Sequence, residues 1–158
     1  MSIRAVLFAL LASFMLTLGL AARCFGATEA VLDLATFAQS SVEIGKAPRT
    51  QHFDVWIADT PEREAQGLMF VRDLPAGRGM LFLEPTARPM SFWMKNTYIE
   101  LDMLFVAADR RIVKIAAHAP PLSLANINSD ALVIAVLEIK GGEAARRGIR
   151  VGDRVSWP

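Results

Sequence analysis

The stretch DMLFVAADRRIVKIAAH, residues 102–118, contains two apolar runs separated by the polar pair Asp109–Arg110. Short apolar runs on either side of a polar turn are typical of a β-hairpin. In the first run Met103 and Phe105 share one face of a strand and leave Asp102 on the other. The stretch therefore predicts an antiparallel pair of strands.

A short helix is predicted upstream by DTPEREAQGLM, residues 59–69. Thr60 can cap the helix through its hydroxyl, and Pro61 suits the first helical position, where its missing N–H costs nothing. Gly67 supplies a left-handed stop. We therefore expect a helix of about two turns at most.

The other apolar runs indicate further strands. Residues 51–59 (QHFDVWIAD) alternate, whereas residues 131–139 (ALVIAVLEI) are apolar nearly throughout and predict a fully buried strand. Residues 84–89 (EPTARP) and 122–130 (LSLANINSD) are predicted as loops, and residues 143–147 as a second short helix. About seven strands, two short helices and no regular βαβ alternation predict an α+β domain with a small bent antiparallel sheet or partial β-barrel.

Residues 1–27 have the layout of a secretory signal peptide. Arg4 gives the start a positive charge, residues 5–22 carry no charge, and small residues follow. This layout predicts a periplasmic or secreted protein. The alternative is an uncleaved N-terminal membrane anchor, because the uncharged run of 18 residues is close to the shortest helix that spans a bilayer. Arg23 before Cys24 argues against a lipoprotein.

Cleavage after residue 27 would leave a lead-in segment, residues 28–40, and a single domain, residues 41–158. The only cysteine, Cys24, would be lost, so the mature chain would have no disulfide or thiol chemistry. It would carry 15 basic and 16 acidic residues, a net charge of −1, which argues against a nucleic-acid partner. No other segment is long and apolar enough to span a membrane. No phosphate-binding loop or metal-ligand spacing is present, so we expect no cofactor.

Six motifs come in the order and spacing of one family: DTPEREAQGLM, GRGMLFLE, SFWMKNT, LDMLFV, VLEIKGG and GIRVGDRV. On these residues, from about Phe53 to Val155, the chain resembles the small, mostly exported prokaryotic proteins called domain of unknown function 192. The resemblance implies a compact, barrel-like α+β domain, often behind a signal peptide, and it implies no activity. The chain departs from the family pattern at Glu100, where proline is common, and after residue 117, where the common Pro-Cys step is missing.

The segment MSFWMKNTYIELD, residues 90–102, is the candidate edge of a binding site because a strand pattern runs into a polar turn. Asp102, and Glu138 further along, are acids within strongly apolar strands, and a buried acid is costly unless it is paired. Together these residues predict a cleft for a small polar ligand, an envelope saccharide or a partner protein. Its candidate residues are Trp93, Lys95, Asn96, Asp102, Glu138 and Arg72, and residues 66–72 could form a further wall.

The same cluster has a purely structural interpretation. Met90, Phe92 and Met94 would share one strand face and fill the core. Asn96 would shape the turn, since asparagine tolerates left-handed backbone angles. Asp102 would then bond Lys95 or a backbone N–H.

Two further functions remain open from the sequence. Five methionines fall within 35 residues, and thioethers select Cu(I), so Met90 and Met94 with His118 could form the site of a periplasmic soft-metal carrier. A hydrolase could use Asp102 and Glu138 as paired carboxylates. No nucleophile motif such as G-x-S-x-G is present, so an enzyme is the less favoured class and no catalytic residue is assigned.

Overall fold

A curled sheet of seven strands forms the centre of the structure, a computed structural model that describes residues 30–45 and 48–158. The predicted signal peptide lies outside these residues. None of the helices in the described part of the chain is long and apolar enough to cross a membrane. A 3₁₀ turn, Leu34–Thr36, precedes the first strand, and Val31–Pro158 form one compact unit. The elements in chain order are β1 Gln39–Ile44, β2 Gln51–Ala58, α1 Pro61–Gln66, β3 Arg78–Arg88, β4 Ser91–Phe92, β5 Leu101–Val106, β6 Ile112–Ala119, β7 Ile127–Asn128, β8 Val133–Lys140, α2 Glu143–Arg146 and β9 Val155–Ser156.

The large sheet has the strand order β6-β5-β8-β3-β2-β1-β9, and β4 pairs with β7 in a separate two-stranded sheet. The two edges of the large sheet meet at one end. The N–H of Ile112 donates to the carbonyl of Asp153 at 3.0 Å, and the N–H of Val155 donates to the carbonyl of Arg110 at 2.8 Å. The sheet therefore curls into a half-barrel. With two short helices beside it, the described chain is mostly β and fits the predicted α+β class only roughly.

The elements with strong local signals form where they were predicted. The β5–β6 hairpin and the buried strand β8 are confirmed. In α1 the hydroxyl of Thr60 accepts a hydrogen bond from the N–H of Arg63 at 3.3 Å, and Pro61 is the first helical residue. Gly67 ends the helix with a φ of 51°. These signals act within a few residues of the chain, so no tertiary contact is needed to read them.

One strand pair was predicted with the wrong direction. β2 and β3 are parallel, whereas we expected an antiparallel sheet. The segment between them contains α1, and a helical crossover of this kind is what joins parallel neighbours. One βαβ unit is therefore present within an otherwise antiparallel sheet.

Two predicted loops contain strands. β3 continues to Arg88, so most of residues 84–89 belong to it. Its register with β8 shifts between Leu83 and Arg88, and Pro85, which has no N–H to donate, lies in this irregular stretch. The predicted loop at residues 122–130 contains β7, which pairs with β4. Both elements depend on partner strands that are distant in sequence, and a short polar segment does not indicate such partners.

Both faces of the central strands β3, β5 and β8 are buried. The methionine face consists of Met80, Phe82, Met103, Phe105 and Val136. The leucine face consists of Leu81, Leu104, Ala135, Leu137 and Ile139. Directly opposed residues of an antiparallel pair project to the same side of a sheet. Because Met103 opposes Glu138 and Asp102 opposes Ile139, Glu138 lies on the methionine face and Asp102 on the leucine face.

Candidate binding cleft

A cleft of about 400 Å³ opens on the methionine face, between α1 with its following turn and residues 88–97. Phe82 of β3 and Glu138 of β8 form its floor. The other apolar side chains of the lining include Leu68, Met69, Met90, Phe92 and Trp93. The other polar ones are Glu64, Gln66, Arg88, Ser91 and Thr97.

The close approach of α1 to the sheet depends on Gly67. A Cβ atom built on this residue would lie 3.3 Å from Cζ of Phe82 and 4.0 Å from Oε2 of Glu138. Its φ of 51° and ψ of −134° are a combination that only glycine adopts without strain. The two walls are joined beyond this point, since the N–H of Phe70 donates to the carbonyl of Asn96 at 2.8 Å.

Glu138 is the unusual residue of the cleft. Its neighbours across the sheet are Met80 and Met103, and its side chain is only 4% exposed. Within the described part of the chain, no donor or cation pairs with its carboxyl group. Burial without compensation disfavours the charged form and raises the pKa of Glu138 from its ordinary value of 4.5 to about 8. At neutral pH the group is therefore mostly a neutral acid that can both donate and accept a hydrogen bond.

A second acid and its neighbours lie at the mouth of the cleft. Arg88 forms an ion pair with Glu84, which lies outside the lining. Partial burial, followed by the charge of Glu84, raises the pKa of Glu64, and Arg88 opposes this effect. Arg88 thus pairs directly with Glu84 and also attracts Glu64, which forms no ion pair of its own within residues 30–45 and 48–158.

Trp93 forms an exposed wall of the cleft. Its side chain is 47% exposed, and Nζ of Lys95 lies 5.1 Å from the centroid of its ring. A cation at this distance is attracted by the negative face of an indole. Lys95 itself is outside the lining. The pair therefore presents one aromatic surface to the cleft and one positive charge beside it.

Comparison with known protein families identifies the family of the chain. The pattern of DUF192, a family described as Uncharacterized ACR, matches residues 42–157. The chain belongs to the DUF192 family. This result confirms the resemblance inferred from the six motifs. No curated protein matches the chain.

Two solved structures are similar to this DUF192 protein. A protein described as a candidate transcription regulator from Sinorhizobium meliloti 1021 is 41% identical, with a TM-score of 0.73, over 77% of this chain and 95% of its own. A protein of unknown function from Novosphingobium aromaticivorans DSM 12444 is 39% identical, with a TM-score of 0.76, over 81% of this chain and 91% of its own. The fold of the DUF192 protein is therefore shared by both.

Asp102 of the DUF192 protein has a structural role. It is completely buried, and its carboxylate accepts three backbone N–H groups: those of His118 and Gly142 at Oδ1, both at 2.9 Å, and that of Ala144 at Oδ2, at 3.0 Å. These bonds tie β5 to the end of β6 and the start of α2. Of the partners expected for this acid, the backbone N–H is confirmed.

Asp102 and Glu138 do not meet. They occupy adjacent strands, but the register places them on opposite faces of the sheet. The prediction that both acids line one cleft, and the hydrolase built on that pair, were therefore wrong. A local pattern of alternation cannot relate the faces of two strands, because their relative register is a tertiary property.

The remaining predicted residues lie around the cleft. Trp93 and Glu138 belong to its lining, whereas Asn96 and Arg72 do not. Asn96 has a φ of 55° and occupies the predicted turn. The guanidinium of Arg72 stacks on Tyr98, 4.7 Å from the ring centroid. Their roles in binding stay predictions.

The three residues of the predicted copper site lie in different surroundings. Met94 is fully buried in the core, and Met90 is buried at the edge of the cleft. His118 is exposed on β6, with Nδ1 2.8 Å from a carboxylate oxygen of Glu100, and this hydrogen bond raises the pKa of the imidazole. No group of three or more His, Cys, Asp or Glu residues is arranged for a metal ion in the described ranges. The copper hypothesis itself stays a prediction.

Sequence reasoning missed Glu64, Arg88 and Phe82 as residues of the cleft. Glu64 lies in the first turn of α1, where the positive end of the helix favours an acid without any ligand. Arg88 fell in a predicted loop, and Phe82 had the appearance of an ordinary core residue. The proximity of Gly67 to the Phe82 ring could not be inferred from either segment alone.

Proposed function

We propose that this DUF192 protein is a binding module whose cleft takes a small ligand, with Glu138 as the anchor and Trp93 as an aromatic wall. The proposal rests on the carboxyl group of Glu138, which lies on the floor of the cleft without a hydrogen-bond or ion-pair partner in the described part of the chain. The volume of about 400 Å³ is within the range of small-molecule sites, roughly 300–1,000 Å³.

The contrast between Asp102 and Glu138, two of the three buried acids among the described residues, supports this proposal. The carboxylate of Asp102 accepts three hydrogen bonds, which come from backbone N–H groups of the same chain. Glu138 has no such partner within residues 30–45 and 48–158. Its burial therefore destabilises the folded state when the carboxyl group is ionised. A ligand that bonds Glu138 would supply what the fold does not.

Steric blockage of the cleft tests the proposal. Ala65 is an exposed residue of α1 in the lining, so Ala65→Trp would fill the cleft without disturbing the core. Ligands found by saturation-transfer NMR in a set of small amines, alcohols, sugars and carboxylic acids should bind wild-type protein and lose at least about tenfold in affinity with this variant.

The matched control is Ala145→Trp, which changes an exposed helical alanine of α2 outside the lining. This variant should bind as wild type does. Equal binding by both variants, or no ligand at all from the set, would refute the cleft as the site.

We also propose that the protein acts outside the cytoplasm, on the basis of the signal-peptide pattern in residues 1–27. The chain recovered from the periplasmic fraction should have a denatured mass lower than that of the full sequence by the mass of a segment ending near residue 27. A full-length mass in the membrane fraction would instead support the N-terminal anchor, and a full-length mass in the cytosol would contradict export.

A further inference from the structure

We infer that the ligand of the cleft is an organic cation, an ammonium group on an apolar body, which places its charge beside Glu138. This inference rests on the proposed function and adds the chemical class of the ligand. Two features of the lining support it, its charged groups and its aromatic side chains, and the buried acid gives it a testable pH dependence.

The charged groups of the lining are Glu64, Arg88 and Glu138. Arg88 pairs with Glu84 and also attracts Glu64. Glu138 has no cation beside it in the described part of the chain. An anionic ligand would meet the negative charge of Glu64 at the mouth and could not offset the charge of Glu138 once that acid ionises, because like charges in a partly desolvated site repel. A cation would be attracted to Glu64 and would form a charge-assisted hydrogen bond with the carboxylate that Glu138 becomes on losing its proton.

Aromatic rings surround the same space. Phe82 and Phe92 are in edge-to-face contact, with centroids 5.0 Å apart, and both belong to the lining together with Trp93. Ring faces attract cations, and Trp93 already holds the ammonium of Lys95 on one side. An apolar body next to the ammonium would cover the Phe82 and Phe92 rings and exclude water from the acid.

Binding of a cation would be coupled to a proton. The charged or titratable groups that share the cleft with Glu138 are Glu64 from α1 and Arg88 from β3, and its neighbours from β3 and β5 are Met80 and Met103. At neutral pH the carboxylic acid of Glu138 would release its proton to water as the ammonium binds the resulting carboxylate. The affinity should therefore rise about tenfold per pH unit up to a pH of about 8, where the acid is already ionised, and then level off.

Three probes of one shape test the ligand class: phenethylammonium, 2-phenylethanol and phenylacetate, titrated into the protein by NMR and calorimetry. We expect phenethylammonium to bind at least about tenfold more tightly than either other probe, with proton release in buffers of different ionisation enthalpy. Glu138→Gln should abolish both the preference and the pH dependence. Glu62→Gln, an exposed acid of α1 outside the lining, should retain both.

The outcomes separate the two proposals. Equal or tighter binding of the alcohol or the carboxylate, blocked by Ala65→Trp, would overturn the cation inference and keep the cleft as a binding site. Amine binding that is unaffected by Ala65→Trp would overturn both. Failure of all three probes to bind would also overturn the cation inference, and the wider ligand set would then decide the proposed function.

Discussion

Replacing Asp102 by alanine should lower the free energy of unfolding by about 3–5 kcal/mol. The change removes the acceptor of three buried backbone N–H groups, those of His118, Gly142 and Ala144. Each buried donor left without a partner costs about 1–3 kcal/mol. Because these donors come from β6 and α2, the loss should loosen the packing of both elements against β5.

Asp102→Asn should lower the free energy of unfolding by less, about 1–3 kcal/mol. The amide oxygen of asparagine can still accept the two hydrogen bonds made at Oδ1. The bond from Ala144 would be lost, because the NH₂ group of asparagine would face the N–H of that residue. Urea unfolding followed by circular dichroism measures both values. The control is Asp73→Asn. The exposed carboxylate of Asp73 lies 3.5 Å from Nζ of Lys140, and this substitution should change stability by less than about 0.5 kcal/mol. A loss with Asp102→Ala no larger than with this control would contradict the structural role.

Glu138→Gln should stabilise the protein at alkaline pH and have little effect near pH 5. The folded state raises the pKa of Glu138 from 4.5 to about 8, so the unfolded chain loses this proton at a lower pH than the folded chain does. The contribution of Glu138 to stability is therefore fully present below about pH 4.5 and is lost as the pH rises through about 8. Across this window the slope approaches about 1.4 kcal/mol per pH unit.

The difference in unfolding free energy between Glu138→Gln and wild type should consequently grow by roughly 3–5 kcal/mol from pH 5 to pH 8.5. Urea unfolding of both proteins at a series of pH values measures it. Glu62→Gln, at an exposed position of α1, should follow the wild-type curve. Parallel curves for wild type and Glu138→Gln would mean that the acid has an ordinary pKa and that its burial is compensated.

The two acids show how far sequence patterns reach. Asp102 and Glu138 appear alike in the sequence, because each is a single acid within an apolar strand. In the structure one is enclosed by backbone donors and the other has only methionines beside it in the sheet. What separates them is the face on which each projects. β8 is buried on both faces, so its nearly uniform apolar run contains no alternation from which the face of Glu138 could be read.

The candidate site was predictable only in part. Trp93 and Glu138 were both chosen from the sequence and both belong to the cleft. Lys95 and Asn96 were chosen as polar residues of the segment 90–102, and Arg72 as a cationic partner for the two acids. The structure places all three outside the lining, Lys95 and Arg72 beside aromatic rings and Asn96 in a turn. Residues 66–72 were expected as a further wall, and Gln66, Gly67, Leu68 and Met69 belong to the lining. The position of the preceding helix α1 opposite β8 could not be predicted, because no local signal relates these two elements.

The sequence by itself determined the family, the capped helix α1, the β5–β6 hairpin and the buried strand β8. Each of these depends on residues that are close together in the chain, or on motifs whose order is visible directly. Only the tertiary structure decided the parallel pairing of β2 with β3, the opposite faces of Asp102 and Glu138, and the cleft itself. These features arise where strands and turns far apart in the sequence pack together, and their register is set by the best joint burial of all the elements rather than by any single one.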